Sequence, residues 1–305
     1  MLFSIVIPAK NEERNISFCL DALQSLQFPR EEFEIIVVDN GSTDSTVSIV
    51  QNYGIRVFIQ PQLSLSGLRN FGAGVAKGDN LVFLDADCIP DANWLKIAAL
   101  TLADANIGCT GSTPVAPAHG TWVERVWSSF RTRRTNKCSA SWINSSNFFV
   151  RKKLFDKVGG FNDRVKTCED VDICMRLAET CTLIFDPTVK VVHLGEPKTI
   201  REFLHKEIWR GKGTMSGIIS HGIKRSEIKS LLLPLYYVLL PFCILWTLPS
   251  LNYTLLLVLL FLYVLPAMIF SAWNIFLTRK YSYMFGYLIL FILYANARSL
   301  ALFLR

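Results

Sequence analysis

Three groups of carboxylates sit where they could do chemistry. Asp85-Ala86-Asp87 follows the apolar run Leu81–Leu84, Asp39 closes the run Phe33–Val38, and Glu169-Asp170-Val171-Asp172 stands in the second half of the chain. A hard divalent cation such as Mg²⁺ or Mn²⁺ draws its oxygen ligands from carboxylates and phosphates together. Two carboxylates at i and i+2 past a strand can serve different partners, so Asp85 and Asp87 suit a metal-held diphosphate. A solvated turn is the plain alternative for any single Asp-x-Asp, and the buried strand in front of this one argues against it. Asp39, before Asn40-Gly41-Ser42-Thr43-Asp44, has its own plain alternative as an Asx-turn or helix cap.

The elements that must position these groups follow from periodicity. Short apolar runs alternate with segments of helical period, the pattern of an α/β fold with a largely parallel sheet. Strands are predicted over Phe3–Ile7, Phe33–Val38, Arg56–Ile59 and Asn80–Leu84, with helices over Glu12–Leu26 and around Gly67–Ala76. Ser42 or Thr43 is expected to cap the helix after the second strand, and Gly78-Asp79 to turn the chain into the fourth. Ligands of open α/β sheets bind beyond the carboxyl ends of the strands. Pro8–Glu12, Asp39–Asp44 and Asp85–Asp87 should therefore converge on one crevice.

Hydropathy divides the chain of 305 residues, whose hydrophobic fraction of 51% is high for a soluble enzyme. From Leu231 to Arg305 the only charged residues are Arg279, Lys280, Arg298 and Arg305, whereas residues 1–230 hold 28 basic and 25 acidic ones. The runs Leu231–Leu248, Tyr253–Leu277 and Tyr283–Leu304 each approach the roughly 20 residues that cross a bilayer. A catalytic domain over 1–229 and a membrane anchor of about three helices over 230–305 are expected. One or two spans with a re-entrant or interfacial hairpin are the alternative, since Pro234 and Pro241 would disrupt the first run. Met1 is followed directly by an apolar run with no basic segment or cleavage site, so the first domain is expected to stay cytosolic.

Charge agrees with that side. Lys198, Arg201, Lys206, Arg210, Lys212, Lys224, Arg225 and Lys229 outnumber Glu202, Glu207 and Glu227, the excess expected of a cytoplasmic flank. The segment 198–229 then reads as interfacial, the Thr278-Arg279-Lys280 loop as cytosolic, and the Pro249–Asn252 turn and C-terminus as external, with Arg298 snorkelling. The net charge of +7 fits anionic headgroups, and no nucleic-acid partner is expected. None of the eight cysteines forms a C-x-x-C pair, and free core thiols are expected. Cys168, Cys174 and Cys181 with His193 match no common zinc spacing.

In order and spacing, Ile5-Val6-Ile7-Pro8-Ala9-Lys10-Asn11-Glu12, Val37-Val38-Asp39-Asn40-Gly41-Ser42-Thr43-Asp44, Arg69-Asn70-Phe71-Gly72, Leu84-Asp85-Ala86-Asp87, Gly159-Gly160-Phe161 and Glu169-Asp170-Val171-Asp172 resemble family 2 of the nucleotide-sugar glycosyltransferases across roughly 2–195. The resemblance implies a GT-A fold, a single Rossmann-like α/β domain with a mixed, largely parallel sheet, here followed by C-terminal transmembrane helices. It implies that Pro8, Ala9, Glu12 and Asp39 hold the nucleoside, with Arg69 beside the nucleotide. Asp85 would lie near ribose or metal, and Asp87 on the metal with His193. Asp170 would be the base that deprotonates the acceptor in an inverting transfer, carried on a loop between Gly160 and a helix starting near Val171; Glu169 would orient that acceptor, and Gly159-Gly160 would shape the loop. Asp172 reads instead as a structural acid in a helix's first turn.

Where processive polysaccharide synthases of the family carry Gln-x-x-Arg-Trp, this chain has His205-Lys206-Glu207-Ile208-Trp209-Arg210. One sugar per encounter is therefore expected, transferred from a UDP-linked donor in preference to GDP. The expected acceptor is a lipid-linked glycan or polyprenyl phosphate, drawn to the basic segment 198–229. A nucleotidyltransferase is disfavoured because Pro8–Arg14 contains no glycine. A silent nucleotide-sugar-binding scaffold is disfavoured because Asp85, Asp87 and Asp170 are all present.

Overall fold

A computed structural model describes residues 2–132, 134–165, 168–221, 228–250 and 252–304. Lys224 and Arg225 of the basic flank, Leu251 of the expected outer turn and the terminal Arg305 lie outside the described residues. The chain forms two compact units, residues 1–117 with 134–196, and residues 118–133 with 197–305.

The first unit contains β1 (Phe3–Ala9), α1 (Ile16–Gln24), β2 (Phe33–Asp39), α2 (Thr46–Asn52), β3 (Arg56–Ile59), α3 (Leu65–Val75), β4 (Asn80–Leu84), β5 (Cys88–Pro90), α4 (Trp94–Leu102) and β6 (Ile107–Gly111). After the excursion that supplies α5 (Trp122–Arg131) to the second unit come β7 (Cys138–Ser139), β8 (Asn147–Arg151), α6 (Lys152–Lys157), α7 (Glu169–Ala178), β9 (Thr182–Phe185) and β10 (Val191–His193). The eight-stranded sheet runs β3-β2-β1-β4-β8-β6-β9-β7, and β10 pairs with β5 in a separate ribbon. β3, β2, β1 and β4 are parallel, and β8 is antiparallel to β4 and β6. The result is the mixed, largely parallel sheet read from the sequence.

All seven residues of β1 are buried, as an unbroken apolar run in a sheet covered on both faces should be. Alternate side chains serve opposite faces. Ile5, Ile7, Val37 and Leu84 pack with Ile16, Leu20 and Trp94 of α1 and α4. Val6, Ile36, Val38 and Phe83 pack with Leu68, Phe161 and Ile173 on the face of α3 and α7. Chain order reverses at β1, with β2 on one side and β4 on the other, and this switch point puts the crevice at the ends of β1 and β4.

Two local expectations are corrected. The helix after β2 begins only at Thr46 and takes no side-chain cap from Ser42 or Thr43. Instead Asp44 Oδ1 accepts from the Thr46 amide, and Ser42 turns back onto Asp39. An Asx-turn thus opens this helix. Likewise α7 starts at Glu169, so Glu169, Asp170 and Asp172 all occupy its first turn rather than a loop ahead of it. Three acids there complement the positive end of the helix dipole.

The second unit comprises α5 and four further helices, α8 (Ile200–His221), α9 (Ile228–Thr247), α10 (Tyr253–Thr278) and α11 (Met284–Ala301). Thr121 and Glu124 close a capping box on α5. Among the described residues two helices are long and apolar enough to cross a membrane, Tyr253–Thr278 and Tyr281–Ala301, while Leu231–Thr247 is a shorter apolar helix. Pro234 and Pro241 lie inside a continuous α9, so the disruption on which the hairpin alternative rests is absent. Arg298 does not snorkel: its Nη2 lies 3.0 Å from Oε2 of the buried Glu207 on α8.

The packing of α3 gives a direct test. A Cβ on Gly72 would lie 2.2 Å from Val6 Cγ1, whereas one on Gly74, in the same helix, meets nothing within 4 Å. Gly72→Ala should destabilise the protein by about 1–3 kcal/mol through overpacking, and Gly74→Ala should be neutral or gain about 0.5–1 kcal/mol. Thermal melts of the two variants in detergent check this; equal shifts would contradict the packing of α3 on β1.

Candidate active site

The loop after β1 is built by its own polar residues. Asn11 adopts a left-handed φ of 53°, which asparagine tolerates better than most residues. Its amide donates to Ser42 Oγ at 2.8 Å, and its Oδ1 accepts from the Thr43 amide at 2.9 Å. The Glu12 amide donates to Thr46 Oγ1 at 2.8 Å. These bonds tie Pro8–Glu12 to the loop after β2. Together with the end of β4 they line a crevice of about 300 Å³ whose walls include Pro8, Ala9, Lys10, Glu12, Asn40, Asp85 and Asp87.

Five of the expected residues thus share one opening: Pro8, Ala9, Glu12, Asp85 and Asp87. Asp39 lies behind it, buried, with Oδ1 accepting from the Ser42 amide at 2.8 Å and Oδ2 from Ser42 Oγ at 2.5 Å. Asp39 therefore holds its own loop in shape. Burial, with Asp87 and Asp85 nearby, raises the Glu12 carboxyl above its ordinary range despite a hydrogen bond from Asn15.

Arg69 ties this crevice to the second-half acids. Its side chain is 1% exposed; Nη2 lies 2.9 Å from Asp85 Oδ1 and Nη1 lies 2.8 Å from Glu169 Oε1. The guanidinium also sits 5.5 Å from the centre of the Phe161 ring. One planar fork thus joins the carboxylate past β4 to the one opening α7, a geometry lysine could not reproduce. Ser145 Oγ adds a donor to Glu169 at 3.3 Å. The neighbouring residue Asn70 clamps the Gly-Gly-Phe turn, donating to the Phe161 carbonyl at 2.8 Å and accepting from its amide at 2.9 Å. Gly159 and Gly160 both take left-handed φ values there, 81° and 70°, which only glycine adopts without cost.

Asp170 is held one residue on from Glu169. Burial and the Glu169 charge push its carboxyl up from 3.8 to about 6, against the pull of the Val171 amide and Arg69. The folded state binds this proton more tightly than the unfolded chain. The corresponding stability is therefore present at low pH and is lost as pH rises through about 6. Asp172 is engaged elsewhere: Arg176 donates to its Oδ2 through Nε at 3.0 Å and Nη2 at 2.5 Å, and Arg176 Nη1 donates to the Val158 carbonyl.

His193, at the end of β10, reaches Asp87. Its Nε2 is 3.2 Å from Asp87 Oδ2, and its Nδ1 is 2.9 Å from Glu196 Oε1. Burial opposes charge on this ring, yet Asp87 and Glu196 push its pKa up to about 9. Ligand atoms of Asp87, Cys88 and His193 lie within 4.8 Å of one another. The carboxylate suits Mg²⁺ or Mn²⁺, to which the neutral imidazole can add a nitrogen donor, while burial and the Asp85 and Asp87 charges hold the Cys88 thiol protonated. A Cβ on Gly195 would fall 2.0 Å from Asp87 Oδ2, so this small residue keeps the carboxylate's surroundings open. The residues fit a hard divalent cation.

Two site residues escaped the sequence reading. Glu196 carries no motif signal beyond its spacing of three from His193, and its buried carboxylate orients the ring so that Nε2 faces Asp87. Asn70 was legible only as a motif letter. Among the described residues no cysteine is disulfide-bonded, and Cys168, Cys174 and Cys181 form no metal cluster with His193.

The sequence pattern of Glycosyl transferase family 2 matches residues 4–159. The glycosyltransferase AglE of Haloferax volcanii is 32% identical over 222 residues, which is 69% of this chain and 72% of AglE. In fold, the chain is similar to the mannosyltransferase PcManGT of Pyrobaculum calidifontis, solved with GDP-Man and Mn²⁺. That likeness has a TM-score of 0.62 at 18% identity and covers 98% of this chain and 86% of that one. It is also similar to residues 1–349 of Staphylococcus aureus TarS, solved with UDP, at a TM-score of 0.50 and 20% identity over 70% of this chain and 66% of that one.

If Glu196 orients a metal-binding imidazole, Glu196→Gln should weaken Mn²⁺ binding about 10–100-fold. Calorimetric titration of the purified protein with Mn²⁺ measures it, and an unchanged dissociation constant would remove Glu196 from the metal's surroundings.

Proposed function

The chain belongs to glycosyl transferase family 2, and from that premise we propose that it is an inverting, metal-dependent, non-processive enzyme. It moves one sugar from a nucleotide-diphosphate donor, UDP in preference to GDP, to a lipid-linked glycan or polyprenyl phosphate. The observation that carries this reading is the Arg69 fork, which puts the donor-side Asp85 and the acid pair Glu169-Asp170 at one locus.

Pro8, Ala9, Glu12 and Asp39 with its Ser42 turn would shape the nucleoside's seat, and Asp85 would meet the ribose side of the donor. Asp87 and His193 would hold Mg²⁺ or Mn²⁺, which when bound neutralises charge on the leaving diphosphate. PcManGT was solved with Mn²⁺, in keeping with that choice. Asp170 would take the proton from the acceptor hydroxyl as that oxygen attacks the sugar carbon opposite the diphosphate. A carboxyl with its pKa near 6 is a better proton acceptor than an ordinary aspartate and is still ionised at neutral pH. Glu169, held by Arg69 and Ser145, would align the acceptor.

The anchor and the basic residues of 198–229 support work at the membrane, where phosphate-bearing acceptors reside. We place the catalytic domain on the cytosolic side, where nucleotide sugars are made. The division expected from sequence, catalytic over 1–229 and anchoring over 230–305, belongs to the same proposal.

Asp170→Asn keeps the side-chain shape and removes the base. Turnover should fall about 10²–10⁴-fold, or roughly 3–5 kcal/mol of barrier, while donor affinity is retained. Asp172→Asn should retain most activity. The wild-type kcat should fall as pH drops below about 6, the range in which Asp170 gains its proton. Near-normal turnover in Asp170→Asn beside an inactive Asp172→Asn would move the base to the other carboxylate.

A further inference from the structure

The ribbon that carries the proposed cation site also carries sulfur. Cys88 of β5 and His193 of β10 stand directly opposite each other in the antiparallel pair, and directly paired residues present their side chains on one face. Asp87 precedes Cys88, and its Oδ2 lies 3.2 Å from His193 Nε2. Ligand atoms of Asp87, Cys88 and His193, one from each, lie within 4.8 Å of one another. Glu196 Oε1, 2.9 Å from His193 Nδ1, fixes the ring so that Nε2 is turned toward this group.

These spacings are close to those of a tetrahedral zinc site. Oxygen and nitrogen donors about 2.0–2.1 Å from the ion stand roughly 3.3 Å apart, and a sulfur at about 2.3 Å stands roughly 3.6 Å from each. The Asp87–His193 separation already matches, and bringing in the sulfur takes a shift of about 1 Å. A hard cation makes little use of a thiol. Zn²⁺ or Cd²⁺ prefers thiolate and imidazole, and Zn²⁺ outbinds Mn²⁺ at a given set of nitrogen, oxygen and sulfur donors. Cys88 is fully buried, whereas the Asp87 and His193 side chains keep 15% and 14% exposure, so an ion reaches the sulfur from the side of those two. A second buried thiol, Cys19, lies with Sγ 4.0 Å from the Asp85 carbonyl and is not part of the group.

We infer that Asp87, Cys88 and His193 form a three-ligand site for a thiophilic divalent cation, Zn²⁺ or Cd²⁺, that excludes the hard cation from the same place. The Cys88 thiol gives its proton to solvent as the metal–sulfur bond forms, and the two kinds of metal compete because they share Asp87 and His193. A tetrahedral zinc with three protein donors keeps a single open position, fewer than an octahedral Mn²⁺ on Asp87 and His193 leaves for a diphosphate. Zn²⁺ is therefore an inhibitor of the proposed transfer rather than a substitute for Mn²⁺. The inference rests on the proposed cation site and not on the identity of the sugar or acceptor.

Full-length protein whose exposed Cys138, Cys168 and Cys243 and half-buried Cys181 are replaced by serine is loaded with Zn²⁺ and measured by X-ray absorption at the zinc edge. One sulfur at about 2.3 Å beside nitrogen and oxygen donors is expected, and electron paramagnetic resonance should show Zn²⁺ releasing bound Mn²⁺. Cys88→Ser should raise the Zn²⁺ dissociation constant by more than the roughly 10–100-fold that loss of an outer-shell partner costs, and leave that for Mn²⁺ unchanged. Cys19→Ser should change neither. A zinc shell without sulfur, or Zn²⁺ affinity unchanged in Cys88→Ser, overturns the inference, while Mn²⁺ binding in the same samples keeps the proposed cation site standing. A zinc–sulfur bond in protein that does not bind Mn²⁺ supports the sulfur site and removes Mn²⁺ from the proposed function. If Cys88→Ser does not fold, the zinc-edge spectrum of protein retaining Cys88 and the Mn²⁺ competition decide alone.

Discussion

Negative charge crowded into one crevice is the constraint around which the first unit is built. Glu12, Asp85 and Asp87 meet beyond the ends of β1 and β4, and Glu169 and Asp170 stand close by. Carboxylates so near one another cannot all ionise without positive partners. Within the protein the opposing charges include the Arg69 guanidinium, Lys10 on the crevice wall and, when protonated, His193. Arg69 is buried by the packing of α3 on the sheet, which depends on the bare Gly72, and its neighbour Asn70 fastens the Gly159-Gly160 turn that leads toward α7. A donor diphosphate would add further negative charge, which is the physical reason for proposing a cation at Asp87 and His193.

The same logic explains why the acids differ in character. Asp85 and Glu169 are paired to Arg69, and Asp172 is paired to Arg176. Asp170 has the burial without a dedicated cation, and its proton affinity rises accordingly. Separation of proton affinities between neighbouring acids by their partners is how a site divides ligand-holding from proton transfer.

Much of this was legible in the sequence. Strands buried on both faces leave continuous apolar runs, so Phe3–Ile7, Phe33–Val38 and Asn80–Leu84 were placed to within two residues, and the strand-end rule gathered Pro8, Glu12, Asp85 and Asp87. What escaped was set by tertiary contact. Asp44 rather than Ser42 opens α2 because Ser42 is drawn to Asp39. Glu196 is recognisable only once β10 brings His193 to Asp87. Arg298 looked like a snorkelling residue because Glu207, its partner, lies 91 positions away.

The central claim is that this crevice transfers sugar from a nucleotide donor with the help of a divalent cation. The most direct measurement is nucleotide release by the purified protein from a panel of UDP- and GDP-sugars, in Mn²⁺ or chelator, with and without membrane lipid extract. The account predicts release from one UDP-sugar that requires the cation and rises with lipid extract. Donor binding without release under every condition, or release equal in chelator and Mn²⁺, would contradict it.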